Sequence, residues 1–306
     1  VDVRVLVDGI GAHYSYPSIL HLLRQRGVKA AKFLAPGGHL SFINLRNHRK
    51  IMVVDGITGF TGGMNIRESM VQNNGDRNRV KDLHFRIRGP VVAHLQEAFA
   101  DDWHFCTGES LIGEQWFPNQ DQCGEAIARG ITDGPDEDLD KLRWALLAAL
   151  SNAQRSIQIM TPYFLPDLPL ITSLNLAAMR GVKVDIVLPE KCNLPFLMWA
   201  TRSMLWQVLE HGCKVWLTPQ PFDHSKLMLV DDCWTLIGSS NWDARTLRLN
   251  FEFNVEFYDH GFARQMREIV EARLGSAREV TLEEMDGRSL PIRLRDGTAR
   301  LFAPYL

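Results

Sequence analysis

Residues 47–65 read NHRKIMVVDGITGFTGGMN, and residues 223–241 read DHSKLMLVDDCWTLIGSSN. In both stretches His, Lys, Asp, Gly and a closing Asn recur at the same offsets, with an apolar run leading into a turn dipeptide. His48 and His224 stand 176 positions apart, so each copy belongs to a unit of ordinary domain size. Self-similarity at that spacing marks a duplicated fold.

Outward from the motifs the duplication continues. Residues 1–8, VDVRVLVD, answer residues 182–189, VKVDIVLP, and RGVK at 26–29 answers HGCK at 211–214. Helical patterns fall at 16–26, 91–103, 142–153, 196–210 and 262–274. Strands alternating with helices argue for α/β layers. In the second copy a helix at 142–153, a strand at 156–160, the loop at 161–164 and a further helix precede residue 182. Symmetry asks for the same elements before Val1. It therefore predicts that the first lobe lacks about 40 residues, together with any membrane anchor they carry, and that the chain is prone to aggregate. The Gly-, Asp- and Pro-containing stretch 107–139 reads as the connection between lobes, which are expected to span residues 1–122 and 123–306.

Bulk properties narrow the field. A chain with 45% hydrophobic and 23% charged residues is that of a soluble globular domain, and no run approaches the ~18 apolar residues of a membrane span. The net charge of −2 advertises no polyanion partner, which counts weakly against a nucleic-acid substrate. The cysteines are scattered, odd in number and without a Cys-x-x-Cys pair. Neither a disulfide framework nor a zinc site is expected, and no cofactor or metal is called for.

The motifs carry chemistry. Apolar runs flanking Asp55-Gly56 and Asp231-Asp232 predict hairpins with two-residue turns. That register sets Lys50 opposite Thr61 and His48 opposite Gly63. In the second copy it sets Lys226 opposite Ile237 and His224 opposite Ser239. Asn65 and Asn241 come to the open ends. His and Lys, two apart, project from one face of their strand. Phosphodiester exchange needs such a set. One neutral imidazole attacks phosphorus and a second, protonated, serves the leaving alkoxide. Lys and Asn side chains hold the non-bridging oxygens. Each half supplies a single imidazole, so the halves must meet. Each imidazole also needs a carboxylate on its other nitrogen. Glu252, 28 residues after His224, and Asp82, 34 after His48, occupy matching frames once six extra residues within 72–79 are allowed. Asp55 and Asp231 lie five residues past the lysines, roughly 16 Å along an extended strand, and read as turn-fixing residues. One such motif arises by chance in roughly one chain in fifty; two copies with matching tails do not.

At these residues the chain resembles the phospholipase D superfamily, in particular its bacterial cardiolipin synthase branch. The similarity extends to FTGGMNI at 60–66, RGPVVAHL at 88–95 leading to DDW at 101–103, TPYFLPD at 161–167, SSNWDAR at 239–245 and RLFAPYL at 300–306. The resemblance implies a pseudo-twofold pair of α/β/α sandwich lobes with the active site between them. It implies a phosphohistidine intermediate and transfer of a phosphatidyl group from one phosphatidylglycerol to another, with release of glycerol, at a bacterial cytoplasmic membrane. It supports His48, Lys50, Asn65, His224, Lys226, Ser239 and Asn241 as catalytic, and its pattern adds Asp55 and Asp231. Gly63 stands where the second copy has the Ser239 hydroxyl, so the halves are not equivalent.

The apolar stretch 194–206, with Trp199 and Trp206, reads as a helix packed on the sheet, with an acyl-facing interfacial helix as the second option. Residues 288–300 read as a solvated tail that alternatively rests on anionic headgroups. Besides the transferase, two functions stay open: hydrolysis of phospholipid or, less favoured, nucleic acid, and a lipid-binding scaffold with vestigial residues. Two intact His-Lys pairs argue against the scaffold. The sequence leaves the acceptor alcohol and the oligomeric state undecided. It also does not say which imidazole attacks, with a lean to His48.

Overall fold

The computed structural model describes residues 1–14, 16–34, 44–71 and 79–303. The insertion placed within 72–79 and the final three residues of RLFAPYL lie essentially outside that set.

The duplication appears as matched registers. Strand Arg4–Asp8 runs parallel to Lys29–Phe33 with Arg4 opposite Lys29, and Lys183–Pro189 runs parallel to Lys214–Thr218 with Asp185 opposite Lys214. Those pairs are the ones the sequence alignment equates. The hairpins match as well: Ile51 faces Thr61 in the first, and Leu227 faces Ile237 in the second. The outer strands follow suit, with Gly62 opposite His84 and Gly238 opposite Asn254.

The second half builds most of a nine-stranded sheet. Within it Ser156–Met160 pairs Lys183–Pro189 on one side and Leu227–Val230 on the other. Alternation assigns the faces. Met228 and Val230 pack with helices Lys141–Asn152, Leu168–Met179 and Pro195–Met204. Leu227 and Leu229 pack with Val92–Thr107 and His260–Leu274. Both faces are covered, which explains the unbroken apolar run from Leu227 to Val230. Ile51, Val53 and Phe85 of the first half join the second of these clusters, so the two helices lie between the sheets.

In the first half the corresponding strands form two separate pieces, Arg4–Asp8 with Lys29–Phe33 and a three-stranded antiparallel sheet, Ile51–Val54, Thr58–Gly62 and His84–Arg88. Among the described residues no strand bridges them as Ser156–Met160 does in the second half. The outer face of the hairpin is bare: Met52 is 53% exposed and Val54 44%, where Met228 and Val230 are covered.

Three expectations need correction. Each hairpin carries one more loop residue than expected, pairing Val54 with Thr58 and Val230 with Trp234. The tight turn does form, with Asp55 and Gly56, and Asp231 and Asp232, at positive φ, but Ile57 and Cys233 each add a residue beyond it. Lys50 and Lys226 therefore lie opposite Gly62 and Gly238. A β-carbon at Gly62 would stand 2.5 Å from the Leu83 carbonyl oxygen, and one at Gly238 would stand 2.6 Å from that of Phe253. Second, residues 107–139 are not all connection, since Ile127–Asp133 is a strand antiparallel to Asn250–Tyr258. Asp133 at its end is buried, accepting from the Leu142 N–H at 3.2 Å. Third, the tail forms helix Leu290–Arg300. Buried Asp296 pairs with Arg288 and Arg295 at 2.7 Å, and Arg295 lies over the Trp199 ring of Pro195–Met204 at 4.5 Å.

Candidate active site

The site forms where the halves exchange backbone. Arg46–Asn47 runs parallel to the start of Asn250–Tyr258, with Phe251 opposite Asn47, and the His48 N–H donates to the Phe251 carbonyl at 2.8 Å. The symmetric contact sets Lys81 beside Asp223, and the His224 N–H donates to the Lys81 carbonyl at 2.7 Å. One residue further along each partner segment comes the carboxylate. Glu252 therefore reaches His48, and Asp82 reaches His224. His48 Nδ1 lies 2.8 and 3.0 Å from the two Glu252 oxygens, and His224 Nδ1 lies 2.7 Å from Asp82 Oδ2. Both assigned carboxylates thus meet imidazoles, each one serving the histidine of the other half. Spacing could not show this crossing, because it measures only distance along one chain. A carboxylate that takes the proton on Nδ1 puts the ring's lone pair on Nε2.

The two pairs differ in support. Glu252, fully buried, also accepts from the Ser239 hydroxyl and from Asn250 Nδ2 at 3.1 Å. Burial pushes this carboxyl up, but His48, Lys50 and Ser239 outweigh it and hold it below the usual glutamate value. Asp82 takes the Leu83 N–H at 2.8 Å, and burial pushes it up to about 7 against the pull of Lys226. Asn250 was not anticipated; its signal is its place two residues before Glu252, on the same face of the strand.

Lys50 Nζ donates to the His48 carbonyl at 2.9 Å. Lys226 Nζ donates to the His224 carbonyl at 2.6 Å and lies 3.1 Å from both ring nitrogens. Burial drives Lys50 down to about 7 and Lys226 to about 8, although Glu252 and Asp82 oppose the fall in both. Burial also lowers both imidazoles, with the two lysines adding to the effect; His224 falls further and feels His48 as well. The two histidines and two lysines thus share one electrostatic field, though 176 positions separate the motifs. The His48 side chain is 18% exposed and that of His224 8%.

Asn241 is buried at the end of the second motif, its Nδ2 3.4 Å from Thr246 Oγ1 and its Oδ1 without a partner. Asn65 is half-buried at the equivalent place. The motif aspartates, which the family pattern grouped with the catalytic set, lie at the hairpin tips. Asp231 accepts from the backbone N–H groups of Gln154, Arg155 and Ser156 at 2.6–2.8 Å, fastening the hairpin to the start of the central strand; Asp55 is exposed. Ser239 touches Glu252, not the imidazole edge.

Both histidines are also held from behind. Buried Asp102, on helix Val92–Thr107, accepts from Asn47 Nδ2 at 2.7 Å and from Arg49 at 2.6 Å. In the second half the charges are reversed: Asp223 precedes the histidine, and Arg273 on helix His260–Leu274 donates to it at 2.6 Å. Among the described residues no three His, Cys, Asp or Glu side chains gather to hold a metal ion.

A family described as "Cardiolipin synthase, PLD-like domain" matches residues 1–103 and 146–274. The chain belongs to that family. It is similar to cardiolipin synthase 2 of Staphylococcus epidermidis, with 35% identity, and to the major cardiolipin synthase ClsA of Bacillus subtilis, with 34%. Both similarities cover 100% of this chain and 64% of the relative. In fold, this PLD-like protein resembles phosphatidylserine synthase of Haemophilus influenzae over its whole length. That match has a TM-score of 0.74 at 16% identity and covers 83% of the solved chain.

Proposed function

We propose that this protein transfers a phosphatidyl group from one phosphatidylglycerol to a hydroxyl of a second, giving cardiolipin and glycerol. The observation that carries the proposal is the crossed pairing, which orients two imidazoles by their Nδ1 atoms in one field with two lysines. We assign the catalytic roles to His48, Lys50, Asn65, His224, Lys226 and Asn241, with Asp82 and Glu252 orienting, and divide the chain into lobes 1–122 and 123–306.

His48 is the nucleophile in this scheme, because Glu252 is held ionised behind it and its ring is the more exposed. Its Nε2 attacks phosphorus, the bond to the glycerol oxygen breaks, and that oxygen takes a proton from His224. Lys50, Lys226 and the two asparagines hold the non-bridging oxygens as charge builds. Burial first, and then the positive field of the lysines, keep His224 neutral; a phosphodiester anion between the lysines offsets that field, so substrate binding raises the acid that the step requires. The hydroxyl of the second phosphatidylglycerol then gives its proton to His224 and attacks phosphorus, releasing His48.

The substrates lie in a membrane, and helix Leu290–Arg300 offers a face for it. Leu290, Leu294, Leu301 and Phe302 are exposed beside Arg293, a pattern suited to the interface of an anionic bilayer. No helix among the described residues is long and apolar enough to cross a membrane. We place the protein at the bacterial cytoplasmic membrane.

The test is product analysis after incubation with phosphatidylglycerol vesicles, using His48→Asn and His224→Asn as controls. Cardiolipin and glycerol, lost in both variants, are expected. Phosphatidic acid without cardiolipin would replace transfer by hydrolysis.

A further inference from the structure

A cavity of about 410 Å³ opens between helix Leu290–Arg300, the segment before it and the end of helix Pro195–Met204. That volume lies within the ~300–1,000 Å³ typical of small-molecule sites. The cavity shares no residue with either histidine motif. Its walls are basic: Arg288, Arg293 and Arg300 line it against the single carboxylate of Asp286.

The three arginines differ in how far they are already satisfied. Arg288 is committed to buried Asp296 at 2.7 Å and to the Met285 carbonyl at 2.9 Å. Arg300 has a neutral partner, the Gln207 amide oxygen, which accepts from both its terminal nitrogens at 2.8 Å. Among the described residues neither Arg293 nor Asp286 forms an ion pair. Two guanidinium charges thus stand unanswered beside open space, a setting that suits a phosphate.

The helix also decides what carries that phosphate. At 3.6 residues per turn, Arg293, Gly297 and Arg300 fall on one stripe of Leu290–Arg300. Leu290, Leu294 and Leu301 fall on the stripe beside it, and all three are exposed. Trp206, which lines the cavity, is exposed as well, as aromatic side chains at a membrane interface are. A soluble phosphate would use the arginines and leave the leucines in water. A phospholipid satisfies both, with its phosphate at Arg293 and Arg300 and its acyl chains along the leucines.

We propose that this cavity holds the headgroup of an anionic phospholipid, as a lipid site outside the catalytic centre. The statement rests on the membrane-lipid function above and adds a second place where such a lipid is held. Binding to phosphatidylcholine vesicles with and without phosphatidylglycerol, read by co-sedimentation, tests it. Gly297→Gln fills the cavity and keeps every charge. A β-carbon there meets nothing within 4 Å, and leaving glycine favours the helix, so the variant is expected to fold. Arg293→Gln with Arg300→Gln removes the two unanswered charges. Both variants are expected to bind phosphatidylglycerol vesicles roughly tenfold more weakly than the unaltered protein, with binding to phosphatidylcholine alone unchanged. Undiminished binding of Gly297→Gln would overturn the proposal, because diffuse surface charge would then suffice. Displacement from the vesicles by inorganic phosphate or a single-stranded oligonucleotide, at ionic strength matched with chloride, would overturn it in favour of a soluble anion or a nucleic acid. Co-sedimentation needs no turnover, so a protein that bound phosphatidylglycerol without transferring it would refute the proposed function and leave the cavity assignment standing.

Discussion

A β-carbon on Gly63 would stand 2.3 Å from Oδ1 of Asp82. Its counterpart Ser239 gives a hydroxyl to Glu252, so the same position supports one carboxylate and must leave room for the other. Gly63→Ser is expected to displace Asp82 from His224 and to cost roughly 100-fold in kcat, at the lower end of what general acid–base groups contribute. Ser239→Gly removes one hydrogen bond to a charged group, a loss of about 10-fold. Steady-state rates on phosphatidylglycerol compare the two; a larger loss at Ser239 would contradict the packing argument.

The lysines set an alkaline limit. With Lys50 at about 7 and Lys226 at about 8, kcat/KM is expected to fall above neutral pH, well below the titration of a free lysine, because kcat/KM reports groups of the free enzyme. A pH–rate profile flat to pH 9 would exclude charged lysines of such low pKa from the chemistry.

The same shifts have a stability sign. A folded-state lysine below its unfolded 10.5 contributes stability that is present above that value and lost as pH falls through the folded one. Lys50→Met is therefore expected to melt above the unaltered protein at pH 7, with the gap closing toward pH 10. Thermal melts across that range measure it; a gap that widens with pH would reverse the sign.

The motif aspartates are expected to separate stability from chemistry. Asp231→Ala removes the acceptor of three backbone N–H groups and is expected to cost about 1–3 kcal/mol of stability, with the rate per folded molecule retained. Exposed Asp55→Ala falls within about 0.5 kcal/mol. Denaturant melts alongside active-site titration distinguish this from a catalytic role, in which the rate per active molecule would collapse.

Asp102 answers to a different measure. Removing it leaves the buried Arg49 charge without its carboxylate, with only the Glu252 and Ala98 carbonyls as acceptors, and Asp102→Ala is expected to cost about 3–5 kcal/mol. Urea unfolding gives the value, and a change under 1 kcal/mol would mean that the carbonyl contacts of Arg49 suffice to hold its charge.

Much of this was legible because duplication gives each observation a check. The alignment of residues 1–8 with 182–189 anticipated the strand registers, and the matching frames of Asp82 and Glu252 anticipated both carboxylates. Local chemistry misled where a residue type serves two purposes. Asp55-Gly56 does make the expected turn, but Ile57 extends the loop and shifts the hairpin by one. Gly130 and Asp133 imitate a loop inside a strand, and Arg-rich residues 288–300 imitate a solvated tail although Asp296 is buried. The crossing of Asp82 and Glu252 depends on how the halves dock, which no spacing within either half encodes.

That crossing makes the two halves mutually indispensable. Neither one owns a complete imidazole–carboxylate pair: each keeps its imidazole and lends its carboxylate to the other. A chain nicked within residues 108–126 would keep both pairs only while the pieces remained associated, so turnover in such a split protein doubles as a readout of docking.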